Sequence, residues 1–221
     1  MSYNIAIDGP AGAGKSTIAK KIAKKKGMIY VDTGSMYRAM ALYLIRRGIK
    51  PEEAEQIGEE CEHADITIRH ESGEQVVYLN GENVNPYLRT EEVGNMASRS
   101  SVNPKVRQKM VCIQKKLAAT ADVVIVRRYI GTCVLPDADV KIYLTASSTV
   151  RAKRRFEELT AKGETPDFDS IKADIIERDE RDMKREISPL RQADDAVLVD
   201  TSELSIEEVV EKILEITEEK R

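Results

Sequence analysis

A glycine-rich segment near the N-terminus has the residue types and the spacing needed to hold a polyphosphate. It consists of Gly9, Pro10, Ala11, Gly12, Ala13, Gly14, Lys15, Ser16 and Thr17. The glycines allow backbone N–H groups to turn around phosphate oxygens, and a helix that starts here adds the positive end of its dipole. Lys15 is expected to reach the β- and γ-phosphates, and the Ser16 hydroxyl is expected to bind Mg²⁺. Residues 9–17, the phosphate-binding loop, therefore predict an ATP site.

The chain also carries arginines that could gather the phosphates of a second ligand. A guanidinium group holds phosphate oxygens through paired hydrogen bonds and stays charged at physiological pH. The candidates are Arg38, Arg107, Arg128, Arg154, Arg155, Arg178, Arg181 and Arg185. For any one of them the alternative is a solvated position on a helix surface.

The elements that must position these residues alternate between strand and helix. Strands are predicted at residues 5–7, 28–31, 65–69, 75–79, 123–126, 140–144 and 196–200, and helices at 16–26, 35–47, 104–119 and 205–218. The run at 123–126 is wholly apolar, as expected of a strand buried on both faces. This alternation predicts an α/β fold of the P-loop NTPase type, with a parallel sheet flanked by helices.

Two stretches depart from the alternation. Residues 62–90 contain short alternating segments with Ser72 and Gly73 as turn residues, which predict a small antiparallel insertion. Residues 147–186 are strongly charged and helical in pattern. We expect a single domain whose core comprises residues 1–61, 91–146 and 187–221.

The composition argues against several classes of protein. Charged residues make up 33% of the 221 positions, yet the formal net charge is −3, so no dedicated nucleic-acid or membrane surface is expected. No apolar run approaches the roughly 20 residues of a membrane span, and the N-terminus has no signal-peptide pattern. Cys61, Cys112 and Cys133 lack metal-site spacing and indicate free thiols. We therefore expect a cytoplasmic location.

From end to end, the chain resembles the bacterial cytidylate kinases, a family of P-loop nucleoside monophosphate kinases. The matching segments are residues 7–17, 32–38, 79–82, 89–90, 98, 106–107, 130–132, 135–138, 144–147, 177–182, 185 and 189–190. The resemblance implies transfer of the γ-phosphoryl group of ATP to CMP or dCMP, with Mg²⁺ as cofactor, by a monomer. Adenylate kinases and sugar or shikimate kinases fit these segments less well.

The resemblance also implies roles for individual residues around the acceptor nucleotide. The implied set is Thr33, Tyr37, Arg38, Ser98, Arg107, Arg128, Tyr129, Arg178, Asp182 and Arg185. Ser98 and Arg107 would contact the cytosine edge. Arg178 and Asp182 would meet the ribose hydroxyls, and the acceptor phosphate would be held by arginines.

Two further groups follow from the same resemblance. The catalytic residues would be Lys15, Arg128 and Arg185. Residues 147–186 would form a mobile lid carrying Lys153, Arg154 and Arg155. Lid closure brings positive charge over the transferring group and excludes water, which would otherwise hydrolyse ATP.

One segment departs from the family pattern. Where the family has Asp-Gly-Arg-Asp-Ile-Gly-Thr, this chain has Val126, Arg127, Arg128, Tyr129, Ile130, Gly131 and Thr132. Two carboxylates and a glycine are thus replaced by valine, tyrosine and arginine, which makes the site more positive by three charges.

Three interpretations of this departure are open. Asp8 or Asp32 could support the metal shell while the Tyr129 hydroxyl accepts a hydrogen bond from the base. Alternatively, specificity is altered, because a hydroxyl both donates and accepts and so discriminates an amino group less sharply. The third possibility is a weakly active nucleotide-binding relative with a regulatory or interaction role.

Overall fold

The computed structural model of the protein describes residues 2–71, 74–184 and 187–220. The strands are β1 Asn4–Asp8, β2 Ile29–Asp32, β3 Ile66–Glu71, β4 Glu74–Leu79, β5 Glu82–Asn83, β6 Val123–Val126, β7 Val140–Thr145 and β8 Val197–Asp200. The helices are α1 Lys15–Lys26, α2 Thr33–Arg46, α3 Ala54–Glu60, α4 Glu91–Ser100, α5 Pro104–Thr120, α6 Ser148–Ala161, α7 Phe168–Met183 and α8 Ile206–Glu219. The predicted turn residues Ser72 and Gly73 lie outside the described residues, as does Arg185.

The chain divides into two compact units. One comprises Val31–Ala121 with the extreme N-terminus, and the other comprises Tyr3–Tyr30 and Asp122–Arg221. We call them the helical unit and the sheet unit. Each has its own apolar core.

The sheet unit contains the predicted parallel sheet. Its strand order is β2-β6-β1-β7-β8, and β1 runs parallel to both β6 and β7. Ile7 in the central strand pairs with Val126 on one side and Ile142 on the other, and Ile7 and Ile142 are almost completely buried. The helices α1 and α8 supply further apolar side chains, including Ile22 and Ile213, to the same core. The α/β prediction is confirmed.

In the helical unit, a three-stranded antiparallel sheet lies in the order β3-β4-β5. Ile66 pairs with Leu79, and both side chains are buried against a core that includes residues of α2, α4 and α5. The predicted antiparallel insertion is confirmed, although β5, α3 and α4 were not predicted from the sequence. β5 and α3 have two and seven residues, so their periodicity is too brief to stand out, and α4 has only three apolar side chains, Val93, Met96 and Ala97.

The charged stretch 147–186 forms two helices where it is described. α6 ends before Gly163, which has φ +83°, and α7 begins after Asp167, whose side chain accepts a hydrogen bond from the Ser170 N–H at 2.7 Å. The two helices pack against each other, with the rings of Phe156 and Phe168 edge to face at 6.2 Å. Throughout the part of the chain that is described, no helix combines the length and apolar character required to cross a bilayer.

Candidate active site

The phosphate-binding loop follows the central strand β1 and leads directly into α1. Gly9 has φ +142°, and a Cβ there would lie 1.9 Å from the carbonyl oxygen of Leu144, so no other residue fits without moving β7. Gly12 and Gly14 also have positive φ values, of +78° and +86°. The glycine spacing seen in the sequence is therefore required by the backbone path and by the close approach of β7.

Lys15 lies over the loop that precedes it. Its Nζ donates a hydrogen bond to the Pro10 carbonyl oxygen at 2.6 Å. Burial, together with the positive charges of Arg128, Arg127 and Arg178, lowers the pKa of Lys15 to about 7, whereas the negative charge of Asp8 opposes the shift. Several cations thus converge on the end of the loop. A polyphosphate bound here would place negative charge beside these cations.

Asp8 connects the phosphate-binding loop to the segment that follows β6. Its side chain is buried, and its two carboxylate oxygens accept hydrogen bonds from the N–H groups of Ile130 and Gly131, each at 2.7 Å. Burial raises the pKa of Asp8 to about 6, while these hydrogen bonds and the charge of Lys15 act in the opposite direction. A Cβ at Gly131 would be 3.3 Å from the Asp8 carboxylate, so glycine permits this close contact.

One interpretation of the departure requires Asp8 or Asp32 to take over the role of a missing carboxylate. In the structure, each of these two side chains already has another role. Asp8 holds two backbone N–H groups, as described. Asp32 is the N-cap of α2 in the helical unit and accepts a hydrogen bond from the Gly34 N–H at 2.9 Å. Both carboxylates therefore have a structural function of their own.

The residues that depart from the family pattern are mostly inside the protein. Val126 ends the fully buried strand β6, and Tyr129 is 2% exposed. Arg127 is half-buried. Ile130–Val134 form a turn of π-helix, an arrangement that is often found at functional sites. Two of the three departures therefore place uncharged side chains at buried positions.

Arg128 and Asp182, which the resemblance assigns to the acceptor, lie together in the sheet unit. The Nε atom of Arg128 is 2.6 Å from the Asp182 Oδ2 atom, and the side chains are 15% and 2% exposed. The Asp182 carbonyl accepts a hydrogen bond from the Leu190 N–H, which ties the end of α7 to the following segment. Arg178 lies one turn earlier on α7 and is exposed.

Five residues assigned to the acceptor belong to the helical unit. Thr33, Tyr37 and Arg38 lie on the first turns of α2, where Thr33 and Tyr37 are buried and Arg38 is half-buried. Ser98 is exposed on α4, and Arg107 is buried on α5. These three helices contribute to one apolar core, and that core fixes the backbone positions of the five residues.

The lid residues have different environments. Lys153 is exposed, and Arg155 pairs with Glu158 on the surface of α6 at 2.9 Å. Arg154 donates hydrogen bonds to Thr201, at 2.8 Å to its carbonyl and 3.2 Å to its hydroxyl. In this conformation, Arg154 therefore ties α6 to the end of β8.

Sequence reasoning missed Arg151, the buried arginine of α6. Its side chain is 5% exposed and donates hydrogen bonds to the Ala11 carbonyl of the phosphate-binding loop and to Asp179 of α7. The available signal was its position in the first turn of a helix that follows a strand beside the loop. The many neighbouring charges of this stretch hid that signal.

Comparison with known proteins identifies relatives along nearly the whole chain. The sequence model of the family described as cytidylate kinase matches residues 5–219. A cytidylate kinase of Caldicellulosiruptor saccharolyticus is 50% identical over 213 residues, which cover 96% of this chain and 94% of the relative. The cytidylate kinase of Bacillus subtilis is 45% identical, with 98% of this chain and 97% of the relative covered.

Solved structures agree on the fold at much lower sequence similarity. A shikimate kinase from Bacteroides thetaiotaomicron matches with a TM-score of 0.50 at 17% identity, covering 98% of each chain. A gluconokinase from Sinorhizobium meliloti matches with a TM-score of 0.50 at 15% identity, covering 98% of this chain and 92% of the other. The phosphate-binding loop, the parallel sheet and the extensive sequence match lead to one conclusion: the chain belongs to the cytidylate kinase family.

Proposed function

We propose that the protein transfers the γ-phosphoryl group of ATP to CMP or dCMP, giving CDP or dCDP. The observation that carries the proposal is the cluster of Lys15, Arg128, Arg127 and Arg178 at the end of a complete phosphate-binding loop. This arrangement suits two phosphate-bearing ligands better than one. The family and the relatives described above favour the cytidine nucleotide as acceptor.

The donor half of the reaction follows from the loop. Backbone N–H groups of residues 9–17 would hold the phosphates of ATP, and Lys15 would leave the Pro10 carbonyl to bind the β- and γ-phosphates. Phosphoryl transfer builds up charge on the oxygens of the moving group, and fixed cations stabilise that charge without reorganisation. No general base is needed, because positioning and electrostatic stabilisation supply most of the rate enhancement.

The acceptor half rests on the arginines. Arg128, Arg185 and Arg38 are proposed to hold the acceptor phosphate, and Ser98 and Arg107 to contact the cytosine. Asp182 supports this proposal, because its carboxylate orients the Arg128 side chain at 2.6 Å. An ion pair of this kind holds a guanidinium group in one rotamer and so reduces the entropy lost when the phosphate binds.

Magnesium is the proposed metal. Within residues 2–71, 74–184 and 187–220, no group of three or more histidine, cysteine or acidic side chains forms a metal cage. Mg²⁺ does not need such a cage, because it keeps most of its water ligands and binds mainly through substrate phosphates. The exposed Ser16 hydroxyl at the start of α1 would be its protein ligand. When bound, the ion would neutralise charge on the phosphates.

The remaining parts of the proposal concern the protein as a whole. We propose that α6 and α7 act as the lid and that the protein is a cytoplasmic monomer. The free thiols of Cys61, Cys112 and Cys133 support a reducing compartment. The exposed, charged surfaces of α6 and α7 support a lid that exchanges its contacts with water for contacts with phosphate.

A coupled assay of ADP formation tests the proposal directly. The purified protein would be given ATP and Mg²⁺ with CMP, dCMP, UMP, AMP or shikimate, one acceptor at a time. We expect CMP and dCMP to give the highest kcat/KM. Preference for AMP or shikimate, or ADP formation that does not depend on any acceptor, would contradict it.

A further inference from the structure

Arg151 uses all of its nitrogen atoms on three different segments of the sheet unit. Its Nε donates to the Ala146 carbonyl oxygen after β7 at 2.9 Å, and one terminal nitrogen donates to the Ala11 carbonyl oxygen at 3.0 Å. The other terminal nitrogen is 2.5 Å from the Asp179 Oδ2 atom on α7. An arginine that is 5% exposed and satisfied in three directions cannot move without breaking several charge-assisted hydrogen bonds.

The contact with Ala11 controls part of the phosphate-binding loop. The Ala11 carbonyl and the Gly12 N–H belong to the same planar peptide group, in which they point in opposite directions. A hydrogen bond that fixes the carbonyl therefore fixes the direction of the N–H. A Cβ built on Gly12 would be 3.3 Å from the Arg151 Cβ, so the loop also packs directly against the stem of this side chain.

The contact with Asp179 extends this control to α7. The other carboxylate oxygen of Asp179 is buried and has no hydrogen-bond partner within the described residues, so the pair with Arg151 is the main compensation for its charge. Asp182 lies one turn further along α7 and pairs with Arg128. Two ion pairs therefore hold this helix, one to the phosphate-binding loop through Arg151 and one to Arg128.

We propose that Arg151 and Asp179 form a positioning pair that couples ATP binding to acceptor binding. This inference rests on the proposed function. A phosphate bound at the Gly12 N–H polarises that peptide group and strengthens the hydrogen bond between its carbonyl and Arg151. The strengthened contact holds Asp179 and, with it, the part of α7 that carries Arg178 and Asp182. Neither Arg151 nor Asp179 needs to touch the acceptor nucleotide.

The test measures coupling between the two ligands in the full-length protein. The Kd for CMP is determined by titration calorimetry with and without a non-hydrolysable ATP analogue and Mg²⁺, and the ratio of the two values is the coupling factor. The variants are Arg151→Lys, which cannot reach three partners with one ammonium group, and Asp179→Asn, which keeps the shape but loses the charge. Glu180→Gln is the matched control, because this exposed carboxylate on the same helix pairs only with Lys184 among the described residues.

We expect the wild-type protein to bind CMP about tenfold more tightly when the analogue is present, within the usual range of coupling between sites. Both variants should bring this ratio close to one, and the double variant should be no worse than the more affected single variant. Glu180→Gln should keep the wild-type ratio. A role limited to stability would lower the unfolding midpoint and leave the ratio unchanged.

Several results would overturn the inference. The first is a coupling factor of one in the wild-type protein. The second is an unchanged coupling factor in both Arg151→Lys and Asp179→Asn. The third is a loss of coupling in Glu180→Gln as large as in those two variants. If Arg151→Lys does not fold, Asp179→Asn decides the question alone. The proposed function fails separately, if the wild-type protein does not phosphorylate CMP in the coupled assay.

Discussion

The phosphate-binding loop and the segment 126–132 lie at the ends of neighbouring strands of one sheet, β1 and β6. They differ in how closely their sequences agree with the pattern expected of them. The loop keeps every anchor residue of its motif, whereas three of the seven residues in the second segment depart from the family pattern. The loop is suited to bind phosphate through backbone N–H groups, whose directions require the positive φ values of its glycines. The second segment offers side chains, whose chemistry changes with each substitution. Motifs that act through the backbone are therefore easier to recognise from sequence.

The backbone of the second segment is nevertheless held by the first. Asp8, at the end of β1, accepts hydrogen bonds from the N–H groups of Ile130 and Gly131. Both of these residues agree with the family pattern, as does Arg128. The substitutions at Val126 and Tyr129 therefore change buried side chains on either side of Arg128 in the sequence, while the hydrogen bonds that fix the following turn remain in place.

The largest expected effect comes from the loop. Lys15→Ala should lower kcat/KM by about a hundredfold or more, because one preorganised charge at the transferring group is lost. The fold should survive, since the Lys15 ammonium donates a hydrogen bond to a single loop carbonyl, that of Pro10, within the described residues. Steady-state kinetics and circular dichroism measure the two effects. Retention of more than about a tenth of the activity, a loss below roughly 1.4 kcal/mol, would contradict the assignment of the loop.

The acceptor arginines should give the next largest effect. Arg185→Met should weaken CMP binding by roughly ten- to a hundredfold, because the loss corresponds to the free energy of about one charge-assisted hydrogen bond to phosphate. The affinity for ATP should change little. Calorimetric titration of each ligand makes the comparison. The lid variant Arg154→Met serves as the reference and should affect CMP binding less. An equal loss of both affinities in Arg185→Met would show that Arg185 does not distinguish acceptor from donor.

The departures themselves can be reversed. Restoring the family residues with Val126→Asp, Arg127→Gly and Tyr129→Asp should raise turnover with CMP and increase its advantage over UMP by about tenfold. The physical reason is that a carboxylate accepts from the cytosine amino group and repels the uracil carbonyl, whereas a hydroxyl can rotate to suit either. The measurement is kcat/KM for both nucleotides in both proteins. A preference of about a hundredfold for CMP in the original chain would show that the substitutions are already compensated.

The smallest expected effect is the uptake of a proton by Lys15 when ATP binds. Because the pKa of Lys15 is lowered to about 7 in the absence of nucleotide, the side chain is mostly neutral at pH 8. The negative charge of ATP should raise this pKa, so binding at pH 8 should take up nearly one proton and at pH 6 almost none. Calorimetry in buffers of different ionisation enthalpy measures the uptake. Lys15→Met should abolish it, and equal uptake by this variant would assign the proton to another group.

The sequence by itself determined the chemistry of the donor site and the alternation of strands and helices around it. Glycine spacing, Lys15 and the apolar run at 123–126 are local signals, because each reflects the conformation or burial of its own short segment. The same holds for the last helix, predicted over residues 205–218, because Ser205 and Glu208 form a capping box at the start of α8. The resemblance to a family then supplied the acceptor, which no local pattern specifies.

Only the tertiary structure decided which charged residues are structural partners. Arg151 and Arg155 lie four positions apart in α6, yet the first is buried in contact with Ala11 and Asp179, while the second is exposed. Asp8 and Arg128 find their partners at Ile130 and Asp182 because parallel strands and α7 bring distant segments together. Such contacts depend on the packing of the whole sheet unit. A charged residue has the same identity in the sequence whether it faces water or a buried partner.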